Sequence, residues 1–197
     1  MSDTRETTQG SRPRADARRN RQRLLAAAEQ AFNTAGAGAS LDEIAHAAGV
    51  GNATLYRHFP TRQKLIDAVY GQRIRALCAL ADQVRATQPV SEALLSWLYA
   101  VVDHITGSRG LREAFVDAHH FRHGGEAPQV TEWHSMTDAA AAPLLRDAQA
   151  AGVARPDLRA EELMALTAAL AHAGGSDPVD ARRLLGLAAE GFMRQPR

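Results

Sequence analysis

A short polar segment in the first third of the chain carries residue types that contact nucleic acids. Residues 52–58 read Asn-Ala-Thr-Leu-Tyr-Arg-His and offer an amide, a methyl, a hydroxyl, a phenol and a cation. Such groups reach base edges and phosphate oxygens of DNA. Arg62 and Lys64 follow shortly after Pro60, in the first turn of a further predicted helix, where the helix dipole disfavours cations. A phosphate held by the helix amides and Lys64 would make this placement favourable, and two solvated surface cations are the alternative.

Two short helices joined by a tight turn must position this segment. Residues 40–43, Ser-Leu-Asp-Glu, form a capping box that starts one helix, and Gly49 ends it after barely two turns. The next helix spans only about residues 52–58, because Pro60 disfavours helical backbone at Phe59. This spacing predicts a helix-turn-helix, whose second helix can enter a DNA major groove. Any short polar helix would expose similar residues, so the outline alone leaves DNA binding open.

Basic charge is concentrated at the N-terminal end. Residues 1–65 contain 10 Lys and Arg against 6 Asp and Glu, and the rest of the chain contains 13 against 16, although the formal net charge is only +1. We expect a basic, flexible arm over residues 1–15, then a DNA-binding domain over residues 16–65 whose first helix runs from Asp16 to Ala35. A polyanion is one natural partner for such an end, and a solvated basic tail is the alternative.

The rest of the chain, residues 66–197, is predicted to form a second helical domain, which makes the fold class all-α. An apolar content of 45% is enough to build a real core. Apolar residues recur at helical spacing throughout, and Asp177 and Pro178 mark the start of the last helix. The predicted helices run from Arg62 to about Ala86, from Ser91 to about Thr106, through Leu111 and Phe115, from Pro128 with a kink or break at Pro143, and over 160–173 and 178–192.

Aromatic residues are concentrated in the middle of this second domain, with a few polar residues close to them in sequence. Small-molecule cavities are mostly apolar with a few polar anchors, so this composition predicts an effector cavity among these helices. Aromatic residues at helical spacing are equally typical of an ordinary core, which is the alternative for each of them. The candidate pocket residues are Trp97, His104, Arg112, Phe115, His119, Trp133 and Met136.

Signals for a metal site or an enzyme are weak. His119 and His123 lie four residues apart, as two metal ligands on one helix face do, but the set is incomplete and solvated histidines explain it equally well. We therefore predict no metal site. The sequence has no nucleophile elbow, phosphate-binding loop or His-Glu-x-x-His motif, so we expect neither catalytic residues nor a cofactor. A single cysteine, Cys78, and the lack of a long apolar run indicate a cytoplasmic protein without membrane partners.

Two sequence segments together resemble a known family. LLAAAEQAF at residues 24–32 and SLDEIAHAAGVGNATLYRHFPTRQKLIDAV at residues 40–69 are similar to the DNA-binding domain of the tetracycline-repressor (TetR) family of bacterial transcriptional regulators. The resemblance covers about residues 18–70. It implies an all-helical homodimer with an N-terminal three-helix head and a larger C-terminal domain that binds a small effector.

The resemblance assigns roles to individual residues. Ser40 would contact a phosphate, residues 52–54 would face bases, and Tyr56, His58 and Lys64 match the backbone-contacting positions. Gly51 stands where a Ser is frequent, and Asn-Ala at 52–53 replaces the commoner Lys-Gly, so the base preference of relatives does not transfer. Arg57 and Arg62 are added on their position alone. The candidate DNA-binding residues are Ser40, Asn52, Ala53, Thr54, Tyr56, Arg57, His58, Arg62 and Lys64.

These observations predict a sequence-specific regulator. It would be a repressor released from a palindromic, double-stranded DNA operator when a small effector binds the C-terminal domain. The alternative is a helical metal-binding or ligand-binding protein without specific DNA recognition. A homodimer would form through the last two helices, with packing inside one chain as the alternative. The candidate interface residues are Leu163, Leu166, Leu170, Leu184, Leu185, Ala188 and Phe192.

Overall fold

The described part of the chain is helical almost throughout. A computed structural model describes residues 11–107, 111, 128–174 and 177–193. Within these ranges the chain forms eight α-helices, and the predicted all-α class is confirmed. They are α1 (Ser11–Ala35), α2 (Leu41–Ala47), α3 (Asn52–His58), α4 (Arg62–Thr87), α5 (Val90–Gly107), α6 (Pro128–Ala150), α7 (Ala160–Ala173) and α8 (Pro178–Phe192).

The first three helices and the start of α4 enclose one apolar core, which we call the head. Leu55 and Phe59 are 1% and 2% exposed, so α3 buries the face that the sequence predicted. Phe32 of α1 and Leu65 of α4 are fully buried in the same cluster. Burying apolar side chains from every helix fixes the orientation of α3, which is too short to be stable alone.

Local caps set the ends of these helices. The Ser40 hydroxyl accepts a hydrogen bond from the Glu43 amide at 3.3 Å, and the Thr61 hydroxyl accepts one from the Lys64 amide at 3.2 Å. Gly49 ends α2 with a φ of 65°, a left-handed conformation that glycine adopts without strain. Gly51 gives α3 no side-chain cap. The predicted boundaries of α3 and the predicted Ser40 cap are confirmed.

The first helix begins earlier than predicted. It starts at Ser11 rather than Asp16, so the last residues of the predicted flexible arm are helical. The first buried side chain of α1 among those described is Leu24. Apolar periodicity therefore gives no signal over the first three turns. Residues 1–10 of the predicted arm lie outside the described residues.

The C-terminal helices pack around α5, which contacts α4, α6, α7 and α8. Its Trp97 is fully buried, and the indole Nε1 donates to the Leu77 carbonyl of α4 at 2.8 Å. Helix α6 runs through Pro143 without a break, so of the predicted kink or break the break is wrong. Leu144 and Leu145 are buried directly after this proline, and their packing holds the helix together across it. No helix of the described ranges is both long and apolar enough to cross a bilayer.

Part of the predicted dimer interface lies inside the single chain. Leu163, Leu185 and Phe192 are 0%, 0% and 4% exposed and belong to the core of their own chain, so their assignment to the interface is wrong. Apolar periodicity marks the face that a helix buries, but it does not tell which chain covers that face. Leu166 is 38% exposed. The half-buried candidates are Leu170, Leu184 and Ala188.

The last two helices approach so closely at Gly174 that no side chain fits there. A Cβ at this position would lie 2.5 Å from the backbone N and Cα of Ala181 in α8. We expect Gly174→Ala to lower the free energy of unfolding by about 1–3 kcal/mol, because the Ala181 backbone must move. Urea denaturation followed by circular dichroism measures this loss. Gly38→Ala, where a Cβ meets nothing within 4 Å, is the matched control, and equal losses in both variants would contradict the close approach.

Candidate DNA interface and ligand cavity

A side chain from the first turn of α4 reaches the loop that precedes α2. The Arg62 guanidinium of α4 donates to the carbonyl of Ala39, the residue directly before the Ser40 cap of α2. Helix N-termini carry exposed amides and a partial positive charge, which suit a phosphate. Lys64 is exposed beside them and has no ion pair within the described chain. This contact links two helix starts that are far apart in sequence, with the Asp42 and Glu43 carboxylates in the first turn of α2 and Lys64 in the first turn of α4.

The contact with Ala39 gives Arg62 a role inside the protein. The side chain is half-buried and bridges α4 to the loop before α2. Its predicted phosphate contact rested on position alone and stays a prediction. Lys64 makes no comparable internal bond among the described residues, so the structure separates the two cations that the sequence placed together.

Helix α3 presents a polar face to solvent. Asn52 is exposed, and its amide donates to an Asp42 carboxylate oxygen at 2.7 Å, which holds the start of α3 against α2. Ala53 and Arg57 are exposed, and Tyr56 is 48% exposed. Thr54 and His58 are half-buried. The predicted base-facing and backbone-facing residues therefore share the outer side of α3, opposite its buried Leu55.

Basic residues of α1 lie beside the end of α3. The Arg21 guanidinium lies 5.0 Å from the centre of the Phe59 ring, a cation–π contact that fixes the two elements together. Arg18 and Arg14 are exposed on the same helix, about one and two turns earlier. They add positive charge to the side of the head that carries α3.

A cavity of about 480 Å³ lies between α4, α5, α6 and α7. Its size is within the usual range for small-molecule sites. The aliphatic part of its lining consists of Ile74, Leu77, Val101, Ile105, Met164, Ala165 and Ala168. The polar part consists of His104, His134, Thr137, Asp138, Glu161 and His172.

Three rings form one wall of this cavity. Tyr70 and Trp133 stack with their centres 4.8 Å apart at an angle of 28°. His104 meets Tyr70 edge-on at 5.6 Å and 71°. The wall combines rings from α4, α5 and α6, so a ligand against it would contact all three helices.

His104 is the most perturbed group in the cavity. Its Nε2 is buried and has no hydrogen-bond partner. Burial lowers the pKa of His104 from 6.5 to about 4, and the nearby positive charge of Arg73 contributes to the same shift. The imidazole is therefore neutral at neutral pH, and its buried nitrogen is available to a polar atom of a ligand.

Asp138 is the second perturbed group. Burial raises the pKa of its carboxyl and the charge of Glu161 raises it further, while His134 acts in the opposite direction. Both carboxylates line the cavity, one on α6 and one on α7.

Comparison with known families decides the class of this protein. A family model described as "Bacterial regulatory proteins, tetR family" matches residues 24–69. A second, described as "Transcriptional regulator SbtR-like, C-terminal domain", matches residues 88–194, which is more than half of the chain. The chain belongs to the TetR family. Its members are typically DNA-binding transcription regulators with a helix-turn-helix head and a ligand-binding C-terminal domain.

Solved TetR structures support the assignment over nearly the whole chain. A TetR transcriptional regulator from Streptomyces coelicolor is 34% identical, with a TM-score of 0.73 over 89% of this chain and 99% of that one. A TetR regulatory protein from Mycobacterium vanbaalenii is 32% identical, with a TM-score of 0.74 over 92% of this chain and 99% of that one. The predicted resemblance is thus confirmed, and it extends well beyond the head.

Within this TetR chain, the predicted pocket residues have different outcomes. His104 and Trp133 line the cavity. Trp97 does not, because its indole is buried in the core behind the cavity, and Met136 packs toward the head and Cys78 instead, so these two predictions are wrong. The remaining predicted pocket residues, Arg112, Phe115 and His119, lie outside the described residues, as does His123.

The sequence reasoning missed several cavity residues. Tyr70 lies in a helix whose sequence indicates only a connection between the two domains. Asp138 follows the buried Thr137 in α6, and an acidic residue on the inner side of a helix was a usable signal. Glu161 gave no signal, since a charged residue in the first turn of α7 is ordinary there. Among the described residues, no group of three or more His, Cys, Asp or Glu is arranged to hold a metal ion.

Proposed function

We propose that the protein is a transcriptional repressor that leaves its operator when a small effector fills the cavity between α4 and α7. The observation that carries this proposal is that α4 belongs to both sites. Lys64 lies exposed in its first turn, and Tyr70, Ile74 and Leu77 line the cavity. At 1.5 Å per residue, Lys64 and Tyr70 are separated by about 9 Å along the helix axis.

Trp133 makes a second connection between the two sites. It lines the cavity and is also part of the head core, where it is 8% exposed. A ligand that displaces the Tyr70 and Trp133 rings would shift α4 relative to α6. Such a ligand favours head positions that do not match the spacing of the operator half-sites, so it lowers the affinity for the operator. By linkage, bound operator lowers the affinity for the effector by the same factor.

Two copies of the chain are needed for specific recognition. One short recognition helix makes few base contacts, and a two-fold dimer places two heads about 34–36 Å apart on a palindrome. Exposed apolar side chains on α7 and α8 support pairing through this end of the molecule. They are Leu166, Val179 and Leu187, at 38%, 69% and 52% exposure. As a regulator of DNA, the protein would act in the cytoplasm.

A gel-shift titration tests the proposal. Palindromic sites near the protein's own gene are compared with random DNA of equal length at several salt concentrations. We expect binding to one palindrome at least about 10³-fold tighter than to random DNA, with affinity falling steeply as salt rises. Equal affinity for the two DNAs would rule out specific repression.

A further inference from the structure

The cavity contains two carboxylates that form no ion pair with a described lysine or arginine. Asp138 and Glu161 both line it, and neither makes a hydrogen bond or an ion pair with another described residue. No Lys or Arg is among the described lining residues. His134 lies near Asp138, and Arg159, which does not line the cavity and pairs with Glu162, lies near Glu161. Two neighbouring carboxylates repel each other, and a cation placed between them removes that repulsion. An anionic ligand would be repelled by both carboxylates.

The aromatic wall suits the same kind of ligand. The faces of Trp and Tyr rings attract cations, and a flat unsaturated body stacks on them. Tyr70 and Trp133 present a stacked pair, and Ile74 and Leu77 supply aliphatic surface beside them. The lining is thus apolar and aromatic at one side and negatively charged at the α6 and α7 side.

His104 supplies a third, directional feature. Its buried Nε2 has no partner within the protein, and buried polar atoms without partners are rare in folded chains. The neutral ring does not repel a cation, and the nitrogen can exchange a hydrogen bond with a polar atom on the ligand. This group lies against Tyr70.

We propose that this cavity binds a small aromatic cation, such as a protonated aromatic amine, whose ring packs on Tyr70 and Trp133 and whose ammonium pairs with Asp138 and Glu161. The inference rests on the proposed function only in taking this cavity as the effector site. It goes beyond that function by assigning the charge and shape of the ligand.

Three naphthalene probes of similar size test the assignment on the full-length protein without DNA. They are 1-naphthylmethylamine, which is a cation at neutral pH, 1-naphthalenemethanol, which is neutral, and 1-naphthoate, which is an anion. Titration calorimetry measures each dissociation constant. We expect the amine to bind about tenfold more tightly than the alcohol, the gain of a charge-assisted hydrogen bond, and the anion to bind more weakly than either.

Charge-neutral variants test whether Asp138 and Glu161 cause the preference for the amine over the alcohol. Asp138→Asn with Glu161→Gln should bring the amine and alcohol constants to within about twofold of each other, because the hydrogen-bonding shapes remain and the charges do not. The variant should be as stable as the parent, since it removes a repulsion. Glu132→Gln removes an exposed carboxylate of the same helix α6 that does not line the cavity, and it should keep the preference of the parent.

The outcomes separate this inference from the repressor mechanism. Equal affinity for amine and alcohol, tighter binding of naphthoate, or no binding of any probe at about 1 mM would overturn the inference. Amine binding that leaves operator affinity unchanged would keep the inference and refute effector release. Release of the operator by a neutral or anionic compound bound in this cavity would keep the repressor mechanism and overturn the inference.

Discussion

Between pH 7 and pH 4 the protein should lose about 3 kcal/mol more stability than a His104→Gln variant. The physical reason is the buried imidazole in the cavity. Burial first, and the nearby Arg73 second, lower the pKa of His104 to about 4, whereas in the unfolded chain the imidazole has its ordinary pKa of 6.5. Glutamine keeps a polar side chain at this position and removes the titration.

The direction follows from which state binds the proton. Between pH 6.5 and 4 the unfolded chain takes up a proton on His104 and the folded chain does not, so lowering the pH favours unfolding. The contribution is fully present above pH 6.5, about 2 kcal/mol of it is lost at pH 5, and the loss approaches its limit below pH 4. Other carboxyl groups also titrate in this window, but they are common to both proteins and cancel in the difference.

Urea unfolding curves at pH 7, 6, 5 and 4 for both proteins measure the effect. His46→Gln is the control, because His46 is exposed at the end of α2 and its replacement should reproduce the parent curve. Parallel stability profiles for the parent and His104→Gln would show that the imidazole is not held neutral by burial.

The head was predictable from sequence because its signals are local. In the head, a serine and a threonine at positions 40 and 61 accept hydrogen bonds from the helix amides that follow them, and Asp177 does the same at the start of α8. Pro60 limits α3 from the other side. Each of these signals acts within a few residues, so no knowledge of the tertiary fold is needed to read it.

The cavity was only partly predictable because it depends on packing between helices. Trp97 and Trp133 are both aromatic residues on apolar helix faces, and nothing local distinguishes them. In the structure Trp97 is sealed in the core by its bond to Leu77, whereas Trp133 stacks on Tyr70 at the cavity wall. Which face of α5 or α6 borders an empty space is decided by the neighbouring helices, and the sequence pattern records only that the face is covered.

Arg62 and Lys64 also show that sequence spacing does not reveal contacts between helices. Arg62 and Lys64 are two residues apart and look equivalent in the sequence. The structure gives Arg62 a bond to Ala39, 23 residues earlier, and leaves Lys64 exposed. A long-range contact of this kind cannot be predicted from residue spacing, although it distinguishes the two cations.

Arg62→Met should therefore lower stability and leave the salt dependence of DNA binding unchanged, whereas Lys64→Ala should weaken DNA binding without loss of stability. Arg62→Met should lower the free energy of unfolding by about 1.5–3 kcal/mol, because the Ala39 carbonyl loses a charged donor while the aliphatic part of the side chain is kept. Lys64→Ala should leave stability unchanged or raise it by up to about 1 kcal/mol, because a cation is removed from a helix N-terminus. Urea unfolding of both variants measures this half of the prediction.

DNA binding gives the other half, measured by gel shift across a range of salt concentrations. If each Lys64 ammonium neutralises one phosphate, each Lys64→Ala substitution should lower the salt slope by about 0.9 and the affinity by about eightfold at 0.1 M salt. A dimer carries two copies of Lys64, so its affinity should fall by about sixtyfold for operator and random DNA alike.

Arg62→Met, measured below its unfolding transition, should keep the salt slope of the parent. A change in base preference alone for Lys64→Ala would mean that Lys64 reads bases, and a lowered slope with unchanged stability for Arg62→Met would mean that Arg62 binds the phosphate. The structure favours Lys64 because the Arg62 guanidinium already binds the chain it belongs to.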